Sequence, residues 1–242
     1  MPARFNFDRV ADVYEETRRL PPIIRDGVAE QIASVFGGGR VLDAGTGTGR
    51  WAEALQDRDL SVVGLDVSRK MLEQARTRGV STTVQGELGR LPFRDRAFDH
   101  ALATHVLHLL PDWRGFVDEL VRVVRTYVVS TRETRNPEEI HPSYDEKVGR
   151  SERPKLGIDP EELAARVPPA FHLPKITYVE RQKAEQYLDL LEKKTFSHQW
   201  DVPDGVHARA MRELRAELAG KEWTLKRTWE LIVWRVEDLR AI

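Results

Sequence analysis

Residues 41–49 read Val-Leu-Asp-Ala-Gly-Thr-Gly-Thr-Gly, and a helical stretch from Trp51 to Gln56 comes directly after. A short apolar run that breaks into closely spaced glycines and then a helix has a specific physical use. Glycine lets the backbone turn tightly and approach a ligand, and the first-turn amides of the helix have no intrahelical partner. Any nucleotide-like ligand can use such a turn. The feature therefore constrains the fold, a strand feeding a helix under a ligand, more sharply than it constrains the ligand.

The flanking periodicity agrees. Apolar positions at helical spacing run from Val10 to Val35 and are split by Pro21-Pro22, which opens a second helix that Gly37-Gly38-Gly39 ends. After the glycine turn, strand signals at 60–65, 80–84, 98–104 and 127–130 alternate with helices at 68–78 and 116–124, with Ser68 as a cap. Alternation of this kind implies βαβ units and a parallel sheet. Residues 132–175 are polar and proline-rich, with a short helix expected at 160–167. A strand at 176–180, helices at 185–194 and 203–218, and a last strand at 228–236 complete the chain. The expected fold is α/β, a Rossmann-like, mostly parallel seven-stranded sheet with helices on both faces. The expected organisation is a single domain: N-terminal helices over 1–36, a core over 38–131, a substrate cap over 132–175, and C-terminal strands and helices over 176–242.

Composition narrows the function. Lys and Arg total 38 against 39 Asp and Glu, a formal net charge of -1. Nucleic-acid binding draws most of its affinity from a basic excess, so a small-molecule partner is expected and nucleic acid is not. The chain has no cysteine, which removes disulfides, thiol nucleophiles and thiolate metal sites; no metal site is expected. No apolar run approaches the roughly 18 residues of a membrane span and the N-terminus has no apolar signal region, so a cytoplasmic location is expected. Oligomeric state is not legible.

The glycine spacing separates ligands. A dinucleotide fingerprint wants Gly-x-Gly-x-x-Gly, but here Arg50 stands where the third glycine belongs, and there is no phosphate-binding Gly-Lys-Ser/Thr ending. Asp43 ahead of the loop can order it and favour a nearby ammonium or sulfonium charge. Asp66, at the end of the second strand, can accept from both ribose hydroxyls or cap the helix that starts near Ser68, and the two roles are compatible.

Residues 41–49, Asp66, Gly86-Glu87-Leu88 with Leu91-Pro92-Phe93, and Phe98-Asp99-His100-Ala101 running to Val106-Leu107-His108-Leu109 together resemble the class I S-adenosylmethionine-dependent methyltransferases, especially the small-molecule branch that includes ubiquinone/menaquinone-biosynthesis-like enzymes. The resemblance covers residues 5–131 well and the rest loosely. It implies S-adenosylmethionine as cofactor, with Gly45, Thr46 and Gly47 along its methionine end and Asp66 on the ribose. Val67 and Met71 would pack on the adenine, and Gly86, Glu87 and Leu88 would meet its edge, although relatives usually carry aspartate at position 87. Thr104 and His105 would sit under the sulfonium. Tyr14 and Arg18 resemble the family's N-terminal Tyr-x-x-x-Arg segment, which closes over the cofactor, and Arg18 would pair with its carboxylate or lie on a solvated helix face. The Pro-Gly-Gly turn common in relatives before the fifth strand is replaced by a direct run over 121–127.

Methyl transfer from a sulfonium is an in-line displacement for which the protein supplies alignment and exclusion of water. A hydroxyl acceptor gains from a general base, and His108 is the candidate. His141, Tyr144, Phe196, His198 and Trp200 are the expected walls of the acceptor pocket, with Tyr144, His198 and Trp200 foremost. Two rivals share the glycine turn. A nicotinamide-dependent oxidoreductase lacks its third glycine here and gives Glu87 no purpose; a non-catalytic adenosylmethionine-binding protein stays open.

Overall fold

The computed structural model describes residues 7–18, 20–135, 144–150 and 156–241. After two 3-10 turns the chain forms α1 (Tyr14–Thr17), α2 (Pro22–Phe36), β1 (Arg40–Ala44), α3 (Arg50–Gln56), β2 (Ser61–Asp66), α4 (Arg69–Arg78), β3 (Thr83–Gln85) and β4 (Phe98–Leu102). Next come α5 (Trp113–Val123), β5 (Val124–Arg135), α6 (Tyr144–Lys147), α7 (Pro160–Arg166), β6 (Phe171–His172), β7 (Ile176–Lys183), α8 (Ala184–Glu192), α9 (Asp204–Leu218), β8 (Glu222–Arg235) and α10 (Val236–Leu239). Local chemistry sets these limits. Pro22 opens α2 and Gly37, left-handed at φ 62°, closes it. The Ser68 side chain accepts from the Met71 amide and starts α4.

The sheet runs β3-β2-β1-β4-β5-β8-β6, with β7 also on β8. It has eight strands where sequence periodicity marks seven; the extra one, β6, is two residues long, too short to leave a periodic trace. Strands β1 to β5 pair in parallel, and β8 runs against β5, β6 and β7. Strands β1, β2 and β4 are buried on both faces along most of their length, as continuous apolar runs such as Val62 and Val63 require. One cluster, with Leu42, Phe98, Phe116 and Trp234, packs under α5 and α10, and a second, with Ile24, Ile32, Leu55 and Trp229, packs under α2 and α3.

The largest departure from sequence expectation is β5. Its apolar signal ends at Ser130, but the strand continues to Arg135 because β8 pairs with it through Arg135↔Arg227. Strand β4 stops earlier, its last partner pair being Leu102↔Val129. β5 and β8, joined by β7, therefore stand as an arm above the carboxyl end of β4. A third cluster, built on Tyr144, Leu188, Leu191, Met211 and Leu214, holds α6, α8 and α9 together as a helical unit.

Candidate functional site

The glycine loop is locked from beneath. The amides of Gly45 and Thr46 both donate to the Leu65 carbonyl, at 2.8 and 2.9 Å. Gly45, Gly47 and Gly49 all have positive φ, and a Cβ on Gly45 would stand 2.2 Å from Val106 Cγ1, so the loop after β4 closes on the glycine turn. At Gly47 an added Cβ would meet nothing within 4 Å: this side of the loop is open.

Two carboxylates flank it. Asp43 is fully buried and accepts from Thr46 Oγ1 at 2.6 Å. Burial, countered in part by the Thr46 bond, pushes its pKa up to about 7. Asp66 accepts the Gly47 amide at 2.9 Å on one oxygen and the Ser68 amide at 2.8 Å on the other, so it ties the glycine loop to Ser68, the residue that caps α4. Burial also raises its pKa. Among the described residues neither carboxylate has an ion-pair partner. A fully buried acid and a half-buried one beside an open glycine turn suit a ligand that brings its own positive charge and hydroxyl donors. On this ground the site fits S-adenosylmethionine.

The remaining strand ends complete the edge. Val67 and Gly86 are half-buried, Met71 is buried at the start of α4, Leu88 comes within 3.9 Å of a Cβ built on Gly45, and Glu87 is exposed. Thr104 is buried at the end of β4. His105 comes next, with a left-handed φ of 55° and its ring edge-on to Trp229 at 5.4 Å. The ring is open to the cleft yet walled by protein, and the loss of hydration holds its pKa down to about 4, against the pull of Glu133. His108 lies in a 3-10 turn over Leu107–Leu109; burial lowers its pKa and the nearby Asp159 opposes this. Its carbonyl accepts from Gly157, where no side chain fits: a Cβ there would lie 2.0 Å from the Leu107 oxygen.

The N-terminal segment crosses the loop through contacts that sequence patterns do not disclose. Glu15 takes the Thr48 hydroxyl, pairs with Arg50 at 3.1 Å and with Arg78 at 2.8 Å, and its pKa is lowered despite burial. Arg18 is not on a solvated face. It donates to the Thr195 carbonyl at 3.1 Å and lies 4.9 Å over Phe196 and 5.0 Å over the ring of Tyr14, itself buried enough to raise its pKa.

The expected acceptor walls separate. Tyr144 is 1% exposed in the core of the helical unit, its hydroxyl 2.6 Å from His207 Nδ1, so it lines no opening; an aromatic in a polar stretch gives no sign of whether it seeks a ligand or a core. His198 packs on Phe196 at 5.7 Å. Trp200 donates to the Lys194 carbonyl and meets Phe7 at 5.1 Å and Arg9 at 5.0 Å. Phe196 and Trp200 thus hold the N-terminal strap. His141 lies outside the described residues. A cavity of about 600 Å³ opens instead between His105 and His108, residues 130–134 of β5, and Asp159, Pro160 and Glu161 at the start of α7. Beside it, Glu133, Arg227, Glu180 and Tyr178 form a largely buried cluster that the sequence shows only as scattered charges, with Arg227 Nε 3.4 Å from Glu133 and 3.5 Å from Glu180.

Residues 42–127 of the chain match the family model for a methyltransferase domain. The chain is 32% identical over 126 residues to a demethylmenaquinone methyltransferase of Tropheryma whipplei, a match covering 49% of this chain and 53% of that one. It is 33% identical over 125 residues to a malonyl-[acyl-carrier protein] O-methyltransferase of Salmonella typhimurium, covering 49% and 47%. The chain therefore spans about half the length of these curated relatives. The YcgJ protein of Bacillus subtilis shares the fold, with a TM-score of 0.55, 18% identity and coverage of 88% of this chain and 98% of that one. No helix among the described residues is long and apolar enough to cross a membrane.

Proposed function

We propose that this protein is a cytoplasmic S-adenosylmethionine-dependent methyltransferase that methylates an oxygen, nitrogen or carbon nucleophile of a small molecule. The carrying observation is the Gly47–Asp66 hydrogen bond, which makes the open glycine turn and the acid at the end of β2 a single preorganised unit. When bound, the cofactor supplies an electrophilic methyl group. The chain supplies the rest. Gly45, Thr46 and Gly47 take the methionine end with Asp43 behind them; Asp66 takes the ribose; Val67, Met71, Gly86, Glu87 and Leu88 frame the adenine; Thr104 and His105 close the floor. Tyr14 and Arg18 cover the site from the strap. Most of the rate gain then comes from alignment in a water-poor cleft. His108, kept neutral by its surroundings, accepts the proton of a hydroxyl acceptor on an imidazole nitrogen.

Calorimetric titration tests the binding half of this reading: adenosylmethionine should bind at micromolar concentration and a nicotinamide nucleotide should not. Incubation with methyl-labelled cofactor and a cell extract tests turnover. Failure of adenosylmethionine to bind overturns the proposal, and binding without labelling of any small molecule reduces it to a cofactor-binding protein.

A further inference from the structure

Strand β7 is the outermost strand of the arm, and register shows which of its peptide groups are spare. The Ala184 amide donates to the Lys221 carbonyl at 2.9 Å. The β7–β8 pairing continues from there through Gln182↔Trp223, Glu180↔Leu225, Tyr178↔Arg227 and Ile176↔Trp229. Peptide groups of successive strand residues point to opposite sides, so the even-numbered residues of β7 bond to β8. Strand β8 agrees. The Leu173 amide donates to the Leu231 carbonyl at 3.0 Å, so odd-numbered residues of β8 face this side, and these are the partners of the even-numbered residues of β7. The amides and carbonyls of Thr177, Val179 and Arg181 therefore point outward, and none has a main-chain partner among the described residues.

Exposed apolar surface gathers at the same edge. The large hydrophobic side chains left exposed among the described residues are Ile23, at 70%, and Val179, at 61%. Val179 is the middle residue of the spare edge. Ile23 belongs to α2, which lies against the other face of β7: a Cβ on Gly27 would stand 3.0 Å from Ile176 Cδ1, and Gln31 Nε2 donates to the Pro174 carbonyl at 2.8 Å. Four residues of helix and two of strand both advance about 6 Å. One such step back from Gly27 and Ile176 sets Ile23 level with Tyr178. The two exposed apolar side chains thus border the open edge, one on each face of the sheet.

We propose that the protein forms a two-fold symmetric dimer through β7, paired antiparallel to itself about Val179, so that the sheets of two copies become one. Val179 then exchanges both main-chain bonds with its counterpart, and Thr177 does so with Arg181 of the second copy. Residues opposite one another share a face, and this register is the self-complementary one. It sets Val179 against Val179, Tyr178 against Glu180 and Thr177 against Arg181. Lys175 and Lys183 meet at its two ends, but each already holds an acid of its own, Glu230 at 3.7 Å and Glu222 at 3.9 Å. Centring on Glu180 or Arg181 instead would oppose like charges at the two-fold, and centring on Tyr178 would set Lys175 against Arg181. One strand and two side chains per copy lie near the low end of specific interfaces, so a dissociation constant of about 1–100 µM is expected. The methyl-transfer proposal plays no part in this pairing.

Sedimentation velocity of the whole chain from about 1 to 300 µM should show monomer passing into dimer. Two variants probe the register. Val179→Lys sets two ammonium groups face to face at the two-fold and should weaken the dimer roughly tenfold or more. Val179→Pro removes an amide that points away from β8, a position at which an edge strand tolerates proline. The dilute monomer should therefore keep its unfolding midpoint while the dimer is lost. Amide exchange on the 15N-labelled chain should slow at least fivefold at Thr177, Val179 and Arg181 between dilute and concentrated samples, while Tyr178 and Glu180, already bonded to β8, stay unchanged. A monomer at every concentration leaves the edge to a strand of another protein and overturns the proposal. A dimer that both variants leave intact, or slowing spread evenly over consecutive residues of β7, overturns it as well.

Discussion

Asp43 offers the sharpest test, because one buried carboxyl group is asked both to weaken the fold and to serve the ligand. Its folded pKa is about 7 against an ordinary 3.8. The folded state thus holds a proton that the unfolded chain has released between those values. Stability from this group is complete below about pH 4, declines as pH rises, and is gone above about pH 7. The whole difference corresponds to about 4 kcal/mol, of which about 3 kcal/mol falls between pH 5 and pH 8. Asp43→Asn keeps an oxygen to accept from Thr46 Oγ1 and cannot ionise. Urea unfolding of the two ligand-free proteins at pH 5 and pH 8 measures the effect: the variant should gain on the parent by about 2–3 kcal/mol between the two pH values. Titration with adenosylmethionine at pH 8 should show the reverse ranking, the variant binding roughly tenfold or more weakly for want of the negative charge. Parallel stabilities at the two pH values would refute the buried-acid argument, and unchanged affinity would refute its role at the cofactor.

Gly45→Ala places a side chain at φ 79° and 2.2 Å from Val106 Cγ1, so it should cost about 2–5 kcal/mol in denaturant unfolding; Val106→Ala should rescue part of that loss, and strictly additive effects would disprove the contact. Asp66→Ala removes the acceptor for both the Gly47 and Ser68 amides, and calorimetry should find adenosylmethionine binding weakened at least tenfold, with affinity intact if the ribose assignment is wrong. Gly157→Ala, whose Cβ would fall 2.0 Å from the Leu107 oxygen, should displace the turn that carries His108 and depress turnover more than cofactor affinity. If His108 is the base, the methylation rate should fall as pH drops through its pKa, which burial sets below the ordinary 6.5, and His108→Gln should abolish that limb of the profile.

The parts of this molecule that sequence discloses are those governed by local rules. The turn at 45–49, the Ser68 cap, the Pro22 start of α2 and the strand cores all rest on residues within a few positions of one another, and each element lies within a few residues of its expected place. The reach of β5 does not show, because residues 131–135 are polar and become strand only through β8, some ninety residues later. The same holds for the site. Asp43 and Asp66 stand out because strand ends are predictable, whereas the Glu15–Arg50–Arg78 network joins residues up to sixty-three positions apart. Tyr144 and the aromatic residues of 196–200 look ligand-facing in the sequence because aromatic side chains in a polar stretch have no local signature of burial. Tyr144 lies against His207, and Phe196 and Trp200 face the strap.

That last contact ties the N-terminal strap to the helical unit. The strap residues Phe7, Arg9 and Arg18 reach the segment 195–200 by one edge-on ring pair, two cation–π contacts and the Arg18–Thr195 hydrogen bond. Each is worth about 0.5–2 kcal/mol at such partly exposed positions. On the loop side the strap is held by Glu15 and by Asp8, which accepts from Ser68 and the Lys70 amide. Arg18 donates to the Thr195 carbonyl through Nη2, and a swing of the guanidinium toward a carboxylate over the glycine turn would draw that nitrogen away from residue 195. If the guanidinium does transfer to the cofactor, as its family likeness implies, the strap loses its anchor on the helical unit as it gains one on the ligand. Binding at the glycine turn would then loosen the strap from residues 195–196 of the helical unit. Arg18→Lys separates the two duties: it retains a positive charge for the cofactor but lacks the planar group that lies over Phe196 and Tyr14. Its cofactor affinity should stay within a few-fold of the parent while amide exchange in residues 195–200 of the ligand-free protein accelerates, and unchanged exchange there would show that the strap does not depend on Arg18.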